Sequence, residues 1–169
     1  MTTCSPRHFE WVQWLGAAAA FDYQSPSCSD DIKVLTGNNL KVALDCVTTS
    51  DTMRMCYAAL SCKGGRYLSL DPFPIRGHTR RNVQPHWIVA FTIFDQPVNW
   101  QRPFKRDSRP QDREFAKRWF ATAQELLDAG RLSPHPYTEK SGGLQGAVDG
   151  IDMVRMGKVA GSKLVYGVS

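Results

Sequence analysis

The chain of 169 residues is long enough for one domain with a hydrophobic core and too short for two domains of full size. Its 42% hydrophobic and 22% charged residues are typical of a soluble globular protein, and neither a bilayer-spanning run nor a secretory signal is recognisable, so we expect a cytoplasmic protein without a membrane partner. The formal net charge of +5 leaves an anionic partner open, such as nucleic acid or a phosphorylated cofactor.

Up to Asp95 the chain alternates between predicted strands and predicted helices. The predicted strands are the residues before Ser5 and the stretches 19–23, 40–47, 66–71 and 86–95. The predicted helices run from Pro6 to Leu15, over 30–36 and over about 51–62, the last with Met53, Tyr57 and Leu60 as its buried stripe. The strand at 40–47 is a nearly continuous apolar run, which predicts burial on both faces. This alternation indicates a parallel α/β sheet.

After Asp95 the sequence changes character. Residues 96–110 are rich in proline and arginine and have no periodicity, which predicts a long loop. The remaining predicted elements are a helix over about 111–129, an extended segment at 132–139, a helix over 142–157 and a strand at 162–168.

The cysteines and histidines do not indicate a metal site. The five cysteines show no CxxC spacing, and the four histidines are scattered, so we expect reduced thiols and no bound metal. The two basic clusters, at 76–81 and 102–113, lack the interleaved aromatic residues of a nucleic-acid groove. We therefore expect no nucleic-acid partner.

The residues at the carboxyl ends of the strands are the candidates for ligand binding, because ligands of open α/β sheets bind there. In an NAD-specific nucleotide-binding unit, the second strand ends in an acid that binds the ribose hydroxyls. If the first strand of this chain is that second strand, Ser5 replaces the acid and Arg7 follows it, which favours NADPH. The alternative is equally open: Ser5 and Pro6 only begin a helix, and Arg7 is a solvated side chain.

Three other features of the strand ends leave alternatives open. Tyr23 could stack beside an adenine or pack as ordinary core. Asp45 lies in a hydrophobic strand and needs a partner, either a backbone donor or the arginine-rich loop. An aromatic string could line an apolar substrate tunnel, or it could belong to the core or to a sheet edge; its members are Trp87, Phe91, Phe94 and Trp100.

Several stretches together carry a family resemblance. The segments TCSPRHFEWVQWLGAAAAFDY, VALDCVTTSDTMRMCYAAL and GGRYLSLDPFP, with the C-terminal segment from ELLDAGRL to KLVY, resemble the C-terminal half of a medium-chain dehydrogenase/reductase. The segments DPFPIRGHTRRNV and FTIFDQP narrow this to the trans-acting enoyl reductases of fungal iterative polyketide synthases, of the lovastatin type.

This resemblance implies an NADPH-dependent reduction of an α,β-unsaturated thioester carried by a polyketide synthase. It implies no catalytic zinc. We expect the protein to be a monomer. The resemblance implies that the synthase and its acyl-carrier-bound polyketide intermediate are the partners. The cofactor-binding positions that it implies are Ser5, Pro6, Arg7, His8, Tyr23, Leu70, Asp71, Val165 and Tyr166. The positions that it implies for the acyl pocket are Phe91, Thr92, Ile93, Phe94 and Asp95. It assigns no catalytic residue in this chain.

Measured against this family, the sequence lacks the catalytic domain and the first strand, glycine-rich turn and helix of the nucleotide-binding domain. The expected fold is therefore a partial Rossmann parallel sheet lacking its first βα unit (residues 1–110), followed by elements that normally complete a GroES-like catalytic domain (111–169). The strands on either side of the absent strand should either close up or keep unpaired edges. We expect reduced stability and reduced or absent reductase activity. The alternative is a non-catalytic module that docks on a synthase or binds nucleotide.

Overall fold

The structure, a computed structural model, describes residues 1–168 and consists of two compact units. The first unit is Met1–Arg118 and the second begins at Trp119. The strands are β1 (Thr2–Cys4), β2 (Ala20–Asp22), β3 (Val42–Asp45), β4 (Gly65–Ser69), β5 (Val83–Trp87), β6 (Tyr137–Lys140) and β7 (Lys163–Tyr166). The helices are α1 (Phe9–Trp14), α2 (Cys28–Leu35), α3 (Ser50–Ala59), α4 (Pro110–Asp128) and α5 (Gly143–Arg155), with 3₁₀ helices at Pro6–His8, Ile75–Gly77 and Ala90–Phe94.

All the paired strands are parallel, which confirms the α/β fold class. In the first unit β1 pairs with β2, and a separate sheet has the order β3-β4-β5. Within the described residues, β1 has β2 as its only strand neighbour and β3 has only β4, so each keeps one edge without a ladder partner. This is the second of the two outcomes expected beside an absent strand. In the second unit β6 pairs with β7, and α5 packs on β7.

The core of the first unit lies between α3 and the β3-β4-β5 sheet. It consists of Met53, Tyr57, Leu60, Tyr67 and Val83, each at most 3% exposed. The predicted buried stripe of the third helix is therefore confirmed. At Gly77 the crossover between β4 and β5 approaches α3 so closely that a Cβ atom there would lie 2.6 Å from the Met53 sulfur.

Two predictions about the strands are wrong. The strand β3 was expected to be buried on both faces, yet Val42 is 48% exposed and Leu44 is 57% exposed. The alternate residues Ala43 and Asp45 lie on the α3 side, since side chains along a strand point to opposite faces: Ala43 packs against the core cluster and Asp45 is 4% exposed.

The second error concerns residues 86–95, which were expected to form one strand. Strand β5 ends at Trp87, and Ala90–Phe94 is a 3₁₀ helix in which the Thr92 backbone N–H donates to the Val89 carbonyl at 3.2 Å. A short apolar run does not distinguish a strand from a helical turn, which explains the error. The strand instead starts earlier, at Val83, and tolerates Pro85 because β5 is an edge strand.

The Arg80 guanidinium holds the C-terminal end of α3. It donates to the carbonyl oxygens of Tyr57 at 2.7 Å, Leu60 at 3.2 Å and Ser61 at 2.5 Å. Carbonyls at the end of a helix have no partner within the helix, so a charged donor stabilises them strongly. One arginine thereby joins the helix to the crossover that follows β4.

We predict that Arg80→Ala lowers the free energy of unfolding by about 2–3 kcal/mol, because it leaves these carbonyls without their charged donor. The neighbouring Arg81 is exposed, so Arg81→Ala should change this free energy by no more than about 0.5 kcal/mol. Urea unfolding followed by circular dichroism measures both variants. Equal stability of the two variants would contradict the bracing role of Arg80.

Candidate functional site

The carboxyl ends of β1 and β2 lie side by side, since Cys4 pairs with Asp22 in the parallel register. Ser5 follows β1 with extended backbone angles, at φ −65° and ψ 145°, and Pro6 occupies the first turn of the 3₁₀ helix as predicted. Ser5 occupies the N-cap position, which agrees with its interpretation as part of a helix start, but its side chain forms no capping hydrogen bond. Its hydroxyl therefore remains available to a ligand.

Arg7 and His8 extend this first strand-end group. The Arg7 Nε atom donates to the His8 Nε2 atom at 3.2 Å, and within residues 1–168 Arg7 has no carboxylate in an ion pair. Tyr23, after β2, is 48% exposed, so its ring is not ordinary core. The two strand ends together present a guanidinium, a hydroxyl and an exposed aromatic ring.

The second strand-end group is built on the buried carboxylate of Asp45, at the end of β3. Its Oδ1 atom accepts from the backbone N–H groups of Val47 at 3.0 Å and Thr48 at 2.9 Å. Its Oδ2 atom accepts from the hydroxyls of Thr52 and Tyr67, both at 2.8 Å. Its partners are thus backbone and hydroxyl donors rather than the arginine-rich loop.

These hydrogen bonds decide the charge of the group. Burial alone would raise the pKa of Asp45, but the bonds from Thr48, Thr52, Tyr67 and Val47 outweigh it, so the pKa lies below its usual value. Asp45 is therefore ionised at neutral pH, with its oxygens already occupied, and it acts as a structural anchor.

Leu70 and Asp71 follow β4 at the same edge of the sheet. The Leu70 N–H donates to the Asp45 carbonyl at 3.3 Å, and the Ser69 hydroxyl donates to the Asp71 carbonyl at 2.7 Å. Leu70 is 43% exposed and Asp71 is also exposed. The structure therefore brings both residues to the carboxyl edge beside Asp45, where their side chains are open to a ligand.

The predicted substrate segment Phe91–Asp95 lies largely in the third 3₁₀ helix. Thr92 is buried and its hydroxyl donates to Asp112 Oδ2 at 2.7 Å, while Asp95 ends the helix in the left-handed region at φ 54°. Ile93 is partly buried, whereas the rings of Phe91 and Phe94 are exposed. Only the two phenylalanines therefore offer a free apolar surface.

Sequence reasoning missed one ring of the aromatic cluster beside this segment, Phe104, and the cation that packs on the cluster, Arg106. Phe91 contacts Trp100 at a centroid distance of 4.8 Å, and Phe104 contacts Trp87 at 5.6 Å. Arg106 lies 4.2 Å above the Trp87 ring. Phe104 and Arg106 lie in the loop without periodicity, so no local pattern predicts these contacts.

Val165 and Tyr166 lie at the end of β7 in the second unit. Val165 is 44% exposed, whereas Tyr166 is partly buried against the glycines Gly146 and Gly150 of α5. The Tyr166 ring is therefore a packing element of its own unit.

Cys28 and Cys56 lack the low thiol pKa of a reactive nucleophile. Burial, with a smaller effect of the Asp45 charge, raises the pKa of Cys56 to about 12, and burial also raises the pKa of Cys28.

Across residues 1–168, no three His, Cys, Asp or Glu side chains lie close enough to hold a metal ion. Over the same residues, no helix combines the length and the apolar character needed to cross a membrane.

Comparison with known proteins identifies the relatives of this chain. No protein-family model matches the sequence. The trans-enoyl reductase apdC of Emericella nidulans is 53% identical over 169 residues, covering 100% of this chain and 51% of the relative. The trans-enoyl reductase opdC of Penicillium oxalicum is 48% identical over 166 residues, covering 98% of this chain and 45% of the relative. Over its whole length the chain is similar to these trans-enoyl reductases. It spans about half the length of the curated relatives that it matches.

Solved structures agree with this family at the level of the fold. The JamJ enoyl reductase matches 98% of the chain and 46% of its own length, with a TM-score of 0.66 and 15% identity. A protein from Rhizobium etli described as a putative zinc-dependent alcohol dehydrogenase matches 99% of the chain and 46% of its own length, with a TM-score of 0.70 and 21% identity. At these identities the matches show the fold alone, and they agree with the expected α/β class.

We predict that Asp45→Asn lowers the free energy of unfolding by about 2–3 kcal/mol at pH 7, because an amide cannot accept all four hydrogen bonds. The folded-state pKa of Asp45 is lowered, so its contribution is present above the unfolded-state value of about 4 and is lost as the pH falls through the folded-state value. The difference between wild type and Asp45→Asn should therefore shrink at strongly acidic pH.

Asp51 is the matched control, since its carboxylate is 83% exposed on the adjoining helix. Asp51→Asn should cost less than about 1 kcal/mol at pH 7. Urea unfolding across a series of pH values tests both variants. If the two asparagine variants had the same stability at pH 7, the anchor role of Asp45 would be disproved.

Proposed function

We propose that this chain carries the adenosine-phosphate part of the NADPH site of an enoyl reductase from a fungal polyketide pathway. The observation that carries the proposal is the arrangement of Ser5 and Arg7 directly after β1. An NAD-specific site has an acid at this place, which would repel a 2′-phosphate. Ser5 has no charge, and the Arg7 guanidinium can bind the phosphate through two hydrogen bonds.

The unused hydrogen-bonding capacity of the Ser5 and Arg7 side chains supports their proposed role in binding the 2′-phosphate. The Ser5 side chain forms no capping hydrogen bond, and Arg7 is exposed without an acidic partner in the described part of the chain. A guanidinium with a purely structural role is engaged, as Arg80 is by three carbonyls. The contrast between these two arginines favours ligand binding at Arg7.

The other proposed cofactor contacts follow from their positions. Pro6 and His8 complete the turn around the 2′-phosphate, and the exposed ring of Tyr23 lies at the neighbouring strand end for the adenine. Leu70 and Asp71 would lie beneath the ribose on the nicotinamide side. We propose no contact for the pyrophosphate of the cofactor. Ser5 and Pro6 follow β1 without the glycine-rich turn that binds pyrophosphate in dinucleotide-binding folds.

In the proposed reaction, NADPH held by these residues would supply a hydride to the β-carbon of an α,β-unsaturated acyl thioester, and the α-carbon would gain a proton. The exposed rings of Phe91 and Phe94 offer apolar surface for the acyl chain. Thr92 and Asp95 shape this segment through their hydrogen bonds to Asp112 and Ser108. The thioester is presented by the acyl-carrier domain of a cytoplasmic polyketide synthase. We assign no proton donor to this chain.

The domain division that we propose assigns residues 1–110 to the nucleotide-binding domain and 111–169 to the catalytic domain. Because the pyrophosphate turn and most of the catalytic domain are not among these residues, we infer reduced or absent reductase activity for the chain alone. The second candidate function, a non-catalytic synthase-docking or nucleotide-binding module, is favoured by the unpaired edges of β1 and β3.

Binding of 2′,5′-ADP and 5′-AMP to the chain tests the proposal, because the two nucleotides differ in the 2′-phosphate. We predict that the wild type binds 2′,5′-ADP more tightly, and that Arg7→Ala weakens 2′,5′-ADP about tenfold or more while changing 5′-AMP little. Ser5→Asp should have the same selective effect through charge repulsion. Isothermal titration calorimetry measures all of these affinities.

The control is Arg81→Ala, which removes the same charge far along the chain from β1 and should leave both affinities unchanged. Equal wild-type affinity for the two nucleotides, or an equal loss in the Arg7 and Arg81 variants, would refute the assignment of a 2′-phosphate site.

A further inference from the structure

The crossover between the parallel strands β4 and β5 is unusual because it contains no α-helix. Residues 70–82 form it, and their only helical turn is the 3₁₀ helix Ile75–Gly77. Parallel neighbours are normally joined by a crossover that carries an α-helix, which covers one face of the sheet and packs beside the preceding helix. Here the flank of α3 that such a helix would cover remains open.

A groove with a cavity volume of about 680 Å³ lies along this flank. Its floor is a stripe of α3 at helical spacing, namely Ser50, Arg54, Tyr57 and Ala58. Lys33 of α2 forms one side, and the crossover residues Pro74, Arg76 and Gly77 form the other. A groove that follows a helix between two flanking elements has the form that accepts another helix.

The charge of this groove is positive. Lys33, Arg54, Arg76 and Arg80 line it, and no Asp or Glu of the described residues does. Arg54 pairs with Asp51 at 2.6 Å, but both side chains are more than 75% exposed, so this pair leaves much of the charge open to a partner. Lys33 and Arg76 form no ion pair within the described residues.

The walls of the groove are fixed, and they include apolar surface. Arg80 ties the crossover to the end of α3, and the Tyr57 hydroxyl is hydrogen-bonded to His78 Nδ1 at 2.9 Å. Next to the basic rim, the Ile75 side chain is 84% exposed. A partner that matches this surface combines carboxylates with apolar residues on one helical face.

We propose that this groove docks an acidic amphipathic helix of a partner protein, with its carboxylates against Lys33 and Arg76 and its apolar residues over Ala58 and Ile75. The proposal rests on the proposed function in one respect: that partner is the synthase, which must bring its carrier domain to the reductase. Because the two cationic side chains come from opposite sides of the α3 stripe, a long acidic partner can engage both.

The test uses the acyl-carrier domain of the polyketide synthase that acts with the Emericella nidulans relative as the probe. Its binding to the full chain is measured by calorimetry at low ionic strength for wild type, Arg76→Glu, Lys33→Glu and Arg81→Glu. Arg81 lies in the same crossover but does not line the groove, and its variant changes the net charge by the same amount. We expect about tenfold weaker binding for the Arg76 and Lys33 variants and less than about a twofold change for the Arg81 variant.

Several results of this experiment would overturn the proposal. Equal weakening in the Arg76 and Arg81 variants would show attraction to net charge alone, and absence of binding by the wild type would show that the surface does not dock this partner. Binding of inorganic pyrophosphate that depends on Arg76, without carrier binding, would identify a small-anion site instead. Thermal midpoints of the variants confirm folding, and if Arg76→Glu is unstable the Lys33 variant decides.

The nucleotide experiment separates this proposal from the proposed function. Arg76→Glu should bind 2′,5′-ADP like the wild type, because Arg7 lies outside the groove. Loss of docking with intact nucleotide binding confirms the groove as a separate surface. Selective nucleotide binding together with unchanged docking in Arg76→Glu would overturn the docking proposal and leave the reductase assignment standing.

Discussion

The buried carboxylate of Asp45 is the interaction on which the first unit depends most. Its four hydrogen bonds connect the end of β3, the turn at Val47 and Thr48, the first turn of α3 and the buried hydroxyl of Tyr67 on β4. The elements that donate to this buried carboxylate can move little relative to one another. Loss of any one hydrogen bond would leave the desolvation penalty of the buried charge uncompensated. Asp45 therefore anchors both the carboxyl edge of the sheet, where we propose that a nucleotide binds, and the flank of α3, where we propose that a partner helix docks.

The arginines of this basic chain divide into structural and available groups. Arg80 is committed to three carbonyls and Arg106 to the Trp87 ring, so both stabilise the fold. Arg7 and Arg76 are exposed without carboxylate partners in residues 1–168, and they lie at the strand end and at the groove. The net charge alone only indicates an anionic partner, whereas the contacts show which side chains remain free to bind one.

Sequence reasoning predicted the features that depend on local spacing. The buried stripe of Met53, Tyr57 and Leu60 and the need of Asp45 for a partner follow from helical periodicity and from the cost of burying a charge. The exposure of Val42 and Leu44 was missed, because burial of the second face of a strand depends on elements distant in the sequence. The groove was missed for the same reason: only the paired strands β4 and β5 reveal that residues 70–82 are a crossover without an α-helix.

Turnover measures the central claim most directly. The half of the Emericella nidulans relative that this chain does not match can be joined to this chain, and the hybrid supplied with a crotonyl thioester and reduced nicotinamide cofactor. We predict that the hybrid oxidises NADPH much faster than NADH, while the chain alone shows little or no turnover. A folded hybrid that fails to oxidise NADPH, beside an active full-length relative, would contradict the assignment of this chain to an NADPH-dependent enoyl reductase.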